Sequence, residues 1–404
     1  MMYGFYQQIN HLINPWRFYA EAAYRKLSQV DESPWFYSKT LKALYEQISF
    51  LGFTHARPKF GINEVFDDFG NCSRIEEEIA YRTPFCNLVH FKKIDSKPQA
   101  KVLLVAPMSG HFATLLSGTV KTLLRDHDVY ITDWLNIRDI PIEEGQFNFD
   151  SYVSHVIDFL NHIGPQSHLI GVCQPTVACL VATSVMSEDQ HPCTPSSLIL
   201  MAGPIDVRNN PTKVNELANQ KPISWFKEKL ISTVPQQYLG KGRKVYPGFV
   251  QLNAFMSMNL KRHQDSFRKL YELRIAGKDD QAQVIHDFYE EYFAIMDLSE
   301  DFYIETIQKI FQDCDLPKGT LRFQGRIVNP KFIKKTFLLT IEGERDDICG
   351  IGQTLAAQDI CSGLPPYMKS HHLQAGVGHY GVFNGKRWDT QIYPIVRNLI
   401  QSCS

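Results

Sequence analysis

Ser167-His-Leu-Ile-Gly-Val-Cys-Gln-Pro-Thr-Val-Ala178 is the stretch on which the reading of the fold turns. A short apolar strand runs into a sharp turn and then into a helix from Thr176 to about Met186, and Cys173 stands at the turn. A side chain at such a turn is pushed out beyond the end of its strand, where a nucleophile can meet substrate. The turn is cramped, so small residues are expected two positions before and two after the nucleophile. Gly171 fills the first place and Pro175 the second. Proline is tolerable there. Its fixed φ suits the first turn of a helix, and its missing N–H would have had no partner inside the helix. Gln174 keeps its own N–H, which is the donor an oxyanion hole takes from the residue after the nucleophile.

A nucleophile of this kind needs an acid and a histidine later in the chain, in that order. Phe337-Leu-Leu-Thr-Ile341 is an apolar, β-branched run, and the turn Glu-Gly-Glu-Arg-Asp-Asp after it places Asp346 or Asp347 just past a strand end. His372-Leu-Gln-Ala-Gly-Val-Gly-His379 ends in a histidine on a glycine-flanked loop. Together the three signals predict an α/β protein of the α/β-hydrolase fold: a mostly parallel sheet with helices on both faces.

Gly171-Val-Cys-Gln-Pro-Thr176, Ala106-Pro-Met-Ser-Gly-His-Phe-Ala-Thr-Leu-Leu116, Gly203-Pro-Ile-Asp-Val-Arg-Asn-Asn-Pro-Thr-Lys-Val-Asn215 and Glu342-Gly-Glu-Arg-Asp-Asp-Ile348 resemble the intracellular polyhydroxyalkanoate (polyhydroxybutyrate) depolymerases. That family uses cysteine where most hydrolases use serine, and the resemblance runs nearly end to end. It implies Cys173 as nucleophile, Asp346 as acid and His379 as base. Asp346 fits better than Asp347, because the acid falls three residues after the glycine of this turn. The resemblance also implies cleavage of ester bonds in granules of poly-3-hydroxybutyrate, through a thioester acyl-enzyme, in the cytoplasm. No resident cofactor or metal is expected, and the acyl acceptor is left open between water and coenzyme A. A runner-up is a polyhydroxyalkanoate synthase-like acyltransferase acting on 3-hydroxyacyl-CoA. The synthase elbow usually carries glycine where Pro175 stands. A granule-coating protein with a dead site is a third reading.

Composition narrows the classes. Of 404 residues, 12% are aromatic, with 26 Phe and 18 Tyr, and the net charge is −1. No general electrostatic attraction to nucleic acid follows from that balance. Nine cysteines are scattered without Cys-x-x-Cys or Cys/His metal spacing, which favours a reducing cytosol over a disulfide framework. The N-terminus lacks the pattern of a signal peptide, and no apolar run reaches the length of a membrane span. A homodimer contact through a sheet edge or through the aromatic N-terminal helices is open.

The chain divides into 1–100, an N-terminal helical extension and first strands; 101–203, the first half of the core with the elbow; 204–335, a helical lid insertion; and 336–404, the second half with acid and histidine. In 1–100, helix-period apolar residues are punctuated by Pro15 and Pro34, and Trp16, Phe18, Trp35, Phe36 and Tyr37 offer either packing or a surface for a greasy granule. A strand is expected around Phe85–Phe91. Lys101–Ala106 is a buried parallel strand, and the loop after it supplies the second oxyanion donor from the backbone of Met108 or Ser109. His111 in that loop and Trp134 after the strand Asp128–Thr132 are candidates for substrate binding, because residues past strand ends line the crevice. A helix is expected over 352–361. In the lid, Phe249, Phe255, Met256, Met258, Phe288, Tyr289, Tyr292 and Phe293 are read first as core and second as an apolar tunnel for a polyester chain.

Overall fold

The computed structural model describes residues 2–29, 36–50, 52–68, 70–94, 97–258 and 260–403. Pro34 and Trp35 lie outside the described residues.

One nine-stranded sheet organises the chain. Its strands are β1 (Glu64–Phe66), β2 (Cys72–Arg82), β3 (Cys86–Lys93), β4 (Lys101–Val105), β5 (Asp128–Trp134), β6 (His168–Val172), β7 (Ser197–Met201), β8 (Phe337–Gly343) and β9 (Lys369–Gln374). They lie in the order β1-β2-β3-β5-β4-β6-β7-β8-β9. β4 to β9 pair in parallel, whereas β1, β2 and β3 join antiparallel. β4, β6 and β7 are almost wholly buried, as their unbroken apolar runs require when both faces are covered.

The helices α3 (Ser117–Leu123), α4 (Phe149–Ile163), α5 (Thr176–Glu188) and α12 (Tyr393–Cys403) cover the two faces. Val153 and Val156 of α4 pack with Val177 and Leu180 of α5 on one side. Val120 and Leu123 of α3 pack with Val396 and Ile400 of α12 on the other. Between β7 and β8 the chain leaves the sheet. It forms α6 (Lys213–Gln220), α7 (Ile223–Leu230), α8 (Gly248–Met258), α9 (Leu260–Ile275), α10 (Asp279–Tyr292) and α11 (Glu300–Glu305). Among the described residues no helix is long and apolar enough to cross a membrane.

Three expectations change here. Pro15 does not end a helix: it lies inside α1 (Met2–Gln29). It is exposed, so the carbonyl left without a partner can turn to water. β2 carries Arg74, Glu76, Glu77 and Glu78 and mostly stands in solvent, where charge is usual on outlying strands; its composition hides it from a search for apolar runs. The helix expected over 352–361 shrinks to Ala356–Ile360. The residues before it turn around buried Glu342, whose carboxylate accepts from the backbone N–H of Gly352, Thr354 and Leu355.

The N-terminal helices are tied to the insertion by buried polar groups. Tyr3 donates to Asp297, whose other oxygen accepts from the Gly248 N–H at 2.9 Å. Glu46 of α2 (Phe36–Ser49) is fully buried and meets Arg274 at 2.7 Å and the His286 ring at 2.8 Å. Burial opposes a charge on His286, but Glu290 and Glu46 outweigh it and push its pKa up to about 9. That lies above the ordinary value of about 6.5, so the stabilisation is complete below the ordinary value and is lost as pH rises through the raised one. The thermal midpoint of the wild type is therefore expected to fall across that window more steeply than that of His286→Gln. Equal slopes in differential scanning fluorimetry would refute this.

Candidate active site

The elbow after β6 takes the expected form. Cys173 has φ +67°, the left-handed region that a non-glycine residue enters only under constraint. The constraint is visible: its N–H donates to the Met201 carbonyl at 2.7 Å, and its own carbonyl accepts from the Thr176 N–H at 3.2 Å and the Thr176 hydroxyl at 2.9 Å. Gly171 is needed because a Cβ there would sit 3.0 Å from the Cys179 sulfur and 3.2 Å from the Thr176 Cα. Pro175, with φ −67°, leads directly into α5. Cys173 is half-buried, and all nine cysteines are free.

The acid and the histidine arrive from β8 and β9. His379 Nδ1 lies 2.8 Å from Asp346 Oδ2. The other Asp346 oxygen accepts from the N–H groups of Ile348 and Cys349 at 2.9 and 2.8 Å, which fixes the carboxylate. The two loops are sewn together by Arg345 N–H donating to the Val377 carbonyl at 2.8 Å. Asp346 makes the 2.8 Å bond to the histidine and Asp347 is exposed, so Asp346 is the partner. Burial opposes a positive charge on His379, but the Asp346 carboxylate and the nearby Cys173 sulfur outweigh it. Its pKa is held well above the ordinary histidine value. His379 and Asp346 thus form a bonded pair close to Cys173, the three residues arriving from three strand ends.

Beside Cys173 opens a cavity of about 200 Å³, lined by Met108, Ser109 and Gln174 from the core and by Leu217, Phe226, Phe255, Phe302 and Phe311 from the insertion. The N–H of Met108 donates to the side-chain oxygen of Gln174 at 3.3 Å. The Ser109 carbonyl is held by the Gln251 amide at 2.5 Å. Met108, Ser109 and Gln174 therefore surround the mouth of the elbow.

Two candidates lie elsewhere. Trp134 ends β5 rather than following it. It is buried in the core, its indole N–H donating to the Ala106 carbonyl at 2.9 Å and its ring stacked on Tyr152 at 4.3 Å. His111 is buried behind the site, its ring 5.0 Å from that of Tyr292. Desolvation pushes its pKa down to about 4, so it is neutral near pH 7. Neither lines the cavity. Of the insertion residues that do, Phe255 is among the tunnel candidates read from sequence, whereas Phe226, Phe302 and Phe311 are not. Their only signal was aromatic richness in a long insertion, which does not distinguish wall from core.

The strand order, with the nucleophile elbow after the central parallel strand and the acid and histidine after later strands, defines an α/β-hydrolase. Residues 202–404, half of the chain, match the model of the family described as PHB de-polymerase C-terminus. The chain belongs to that family. Solved structures of similar fold include 2-hydroxy-6-oxo-6-phenylhexa-2,4-dienoate hydrolase from a Rhodococcus species, at 14% identity and TM-score 0.43 over 81% of this chain and 99% of that one. A thermophilic esterase from Thermogutta terrifontis gives 13% and 0.41 over 82% and 99%. A thioesterase domain from the curacin biosynthetic pathway gives 12% and 0.44 over 81% and 99%. No curated protein matches the chain.

Proposed function

We propose that this chain hydrolyses ester bonds of poly-3-hydroxybutyrate with Cys173 as nucleophile, His379 as base and Asp346 as the group that orients it. The observation that carries the reading is Cys173 on a constrained elbow, close to a buried, hydrogen-bonded His379–Asp346 pair and lining an apolar cavity.

The Cys173 sulfur attacks the ester carbonyl carbon. The carbonyl π pair moves to oxygen, which is held by the N–H of Gln174 and of Met108, and Met108 exchanges its bond to the Gln174 side chain for the oxyanion. Losing one such donor costs about 3–4 kcal/mol of transition-state stabilisation. The ester C–O bond breaks, and protonated His379 gives its proton to the departing alkoxide. A 3-hydroxyacyl thioester remains on Cys173. Water, or the thiol of coenzyme A, then attacks it with His379 taking the proton, and the sulfur is released. The apolar cavity suits the methyl-bearing polyester chain, and family membership supports that substrate class. Under this reading the enzyme works on polymer granules in the cytoplasm.

The test is product release from amorphous poly-3-hydroxybutyrate granules by the full chain, with and without coenzyme A. Free 3-hydroxybutyrate or its oligomers in both arms supports hydrolysis. Hydroxybutyryl-CoA formed only when coenzyme A is present supports thiolysis at the same site. Polymer formed from hydroxybutyryl-CoA, with no release, would overturn the depolymerase reading in favour of acyl transfer.

A further inference from the structure

A second cavity, of about 290 Å³, adjoins the first and shares two of its walls, Phe255 and Ile348. Its remaining lining adds polar groups to an apolar wall of Val284, Ile285 and Phe288: Arg262 and His263 from α9, Tyr292 from α10, and Asp347 and Tyr380 from the core loops. Two of these positions bear on the chemistry. Asp347 follows Asp346, and Tyr380 follows His379. The second cavity is therefore flanked by the residues next to the acid and the histidine, and the apolar one by Cys173 and Gln174 themselves.

That asymmetry matches the two halves of a cleaved ester. The acyl half stays on the sulfur. The other half departs as an alcohol, protonated by His379, and must leave from the histidine side. In a 3-hydroxyalkanoate chain the departing half has a fixed polarity, with its new hydroxyl at the cut and a free carboxylate at its far end. The second cavity has a guanidinium at an exposed position, while the walls nearer His379 are phenols. Arg262 lies close enough to act electrostatically on Tyr380, Tyr292, Tyr289 and His263. Asp347 brings one negative charge to the same lining.

We propose that this second cavity is the subsite for the departing fragment and that Arg262 binds the terminal carboxylate of short 3-hydroxyalkanoate oligomers. The inference rests on the depolymerase reading above. It makes the enzyme prefer ester bonds close to a free carboxyl end, so short acids are trimmed from that end once they have left the polymer.

The test compares the linear trimer of 3-hydroxybutyrate as its free acid with the same trimer capped as a methyl ester. The readout is the ratio of kcat/KM for the two, which is insensitive to partial misfolding of a variant. Wild type is expected to favour the free acid. Arg262→Gln is expected to reduce that preference about three- to tenfold, through KM, as for the loss of one partly exposed charge-assisted bond. Arg262→Lys is expected to keep most of it, and added salt to weaken it in the wild type. An unchanged ratio in Arg262→Gln overturns the subsite while leaving the depolymerase reading intact. Failure of the wild type to cleave either trimer, or the polymer, removes both.

Discussion

Replacing Cys173 by alanine is expected to abolish ester cleavage while leaving the fold in place. The expected loss in kcat is at least about 10³-fold and approaches 10⁶-fold by comparison with removal of a triad nucleophile elsewhere. Three observations set that size. Cys173 stands on the constrained elbow, it lies close enough to act on the His379 charge, and it borders the apolar cavity. Among the described residues Cys349 is a neighbouring thiol that also lines this cavity, but it is buried and burial pushes its pKa far up, so it is no substitute. The backbone that sets φ at +67° is held by the Met201 carbonyl and by Thr176, not by the sulfur. Alanine at a left-handed position keeps the strain that cysteine already bears, so unfolding temperatures of variant and wild type should agree within a few degrees. Retained release from granules by a well-folded Cys173→Ala would remove the cysteine mechanism altogether.

Asp346→Asn is expected to be the next largest loss, about 10³- to 10⁴-fold in kcat, with KM little changed. The carboxylate does two things at once. One oxygen accepts from His379 Nδ1, which sets the tautomer and leaves the other ring nitrogen for the sulfur. The other accepts from Ile348 and Cys349. An asparagine can keep the second set through its carbonyl. It then turns its NH₂ group toward the histidine, selects the wrong tautomer and removes the charge that holds His379 protonated. The pH–rate profile should change accordingly, because the same carboxylate supplies the largest stabilising influence on the imidazolium. The contrasting variant is Asp347→Asn. Its side chain is exposed, and the bond to His379 is made by Asp346, so the proton-transfer machinery should be spared. Equal losses in kcat for the two variants would contradict the assignment.

The parts of the site that could be read in advance are those whose chemistry is local in sequence. The elbow shows itself as strand, small residue, cysteine, proline and helix within a dozen positions, and every one of those positions has a packing reason in the structure, Gly171 most plainly. The acid is likewise legible because it follows an apolar run on a glycine-containing turn, and the histidine because it ends a glycine-flanked loop late in the chain. Asp346 and Asp347 could not be separated by residue type alone. The separation comes from which of the two accepts the backbone N–H groups of its own turn.

What could not be read depends on distances between segments far apart in the chain. Trp134 was expected in the crevice because its strand seemed to stop at Thr132. Two more residues of pairing with β3 carry it into the core. His111 sits in the right loop, but its ring turns back onto Tyr292. The charged strand β2 and the uninterrupted α1 escape rules built on apolar runs and proline breaks, because both face water. The cavity walls come from α6 to α11, and nothing local in an aromatic helix says whether its neighbour is a side chain or empty space.

The hydrogen bond from Met108 to the Gln174 side chain bears on inhibition. At rest the enzyme carries its own acceptor at the place where a ligand oxygen would bind, and the Gln174 amide nitrogen finds no partner there. A neutral carbonyl compound that merely replaces that oxygen trades one ordinary bond for another and gains little. A compound that delivers a full negative charge, such as the adduct of the Cys173 sulfur with an activated ketone, competes on different terms. Selective inhibitors of this enzyme should therefore be sought among reversible thiol-reactive electrophiles, with tight-binding neutral esters a poor starting point.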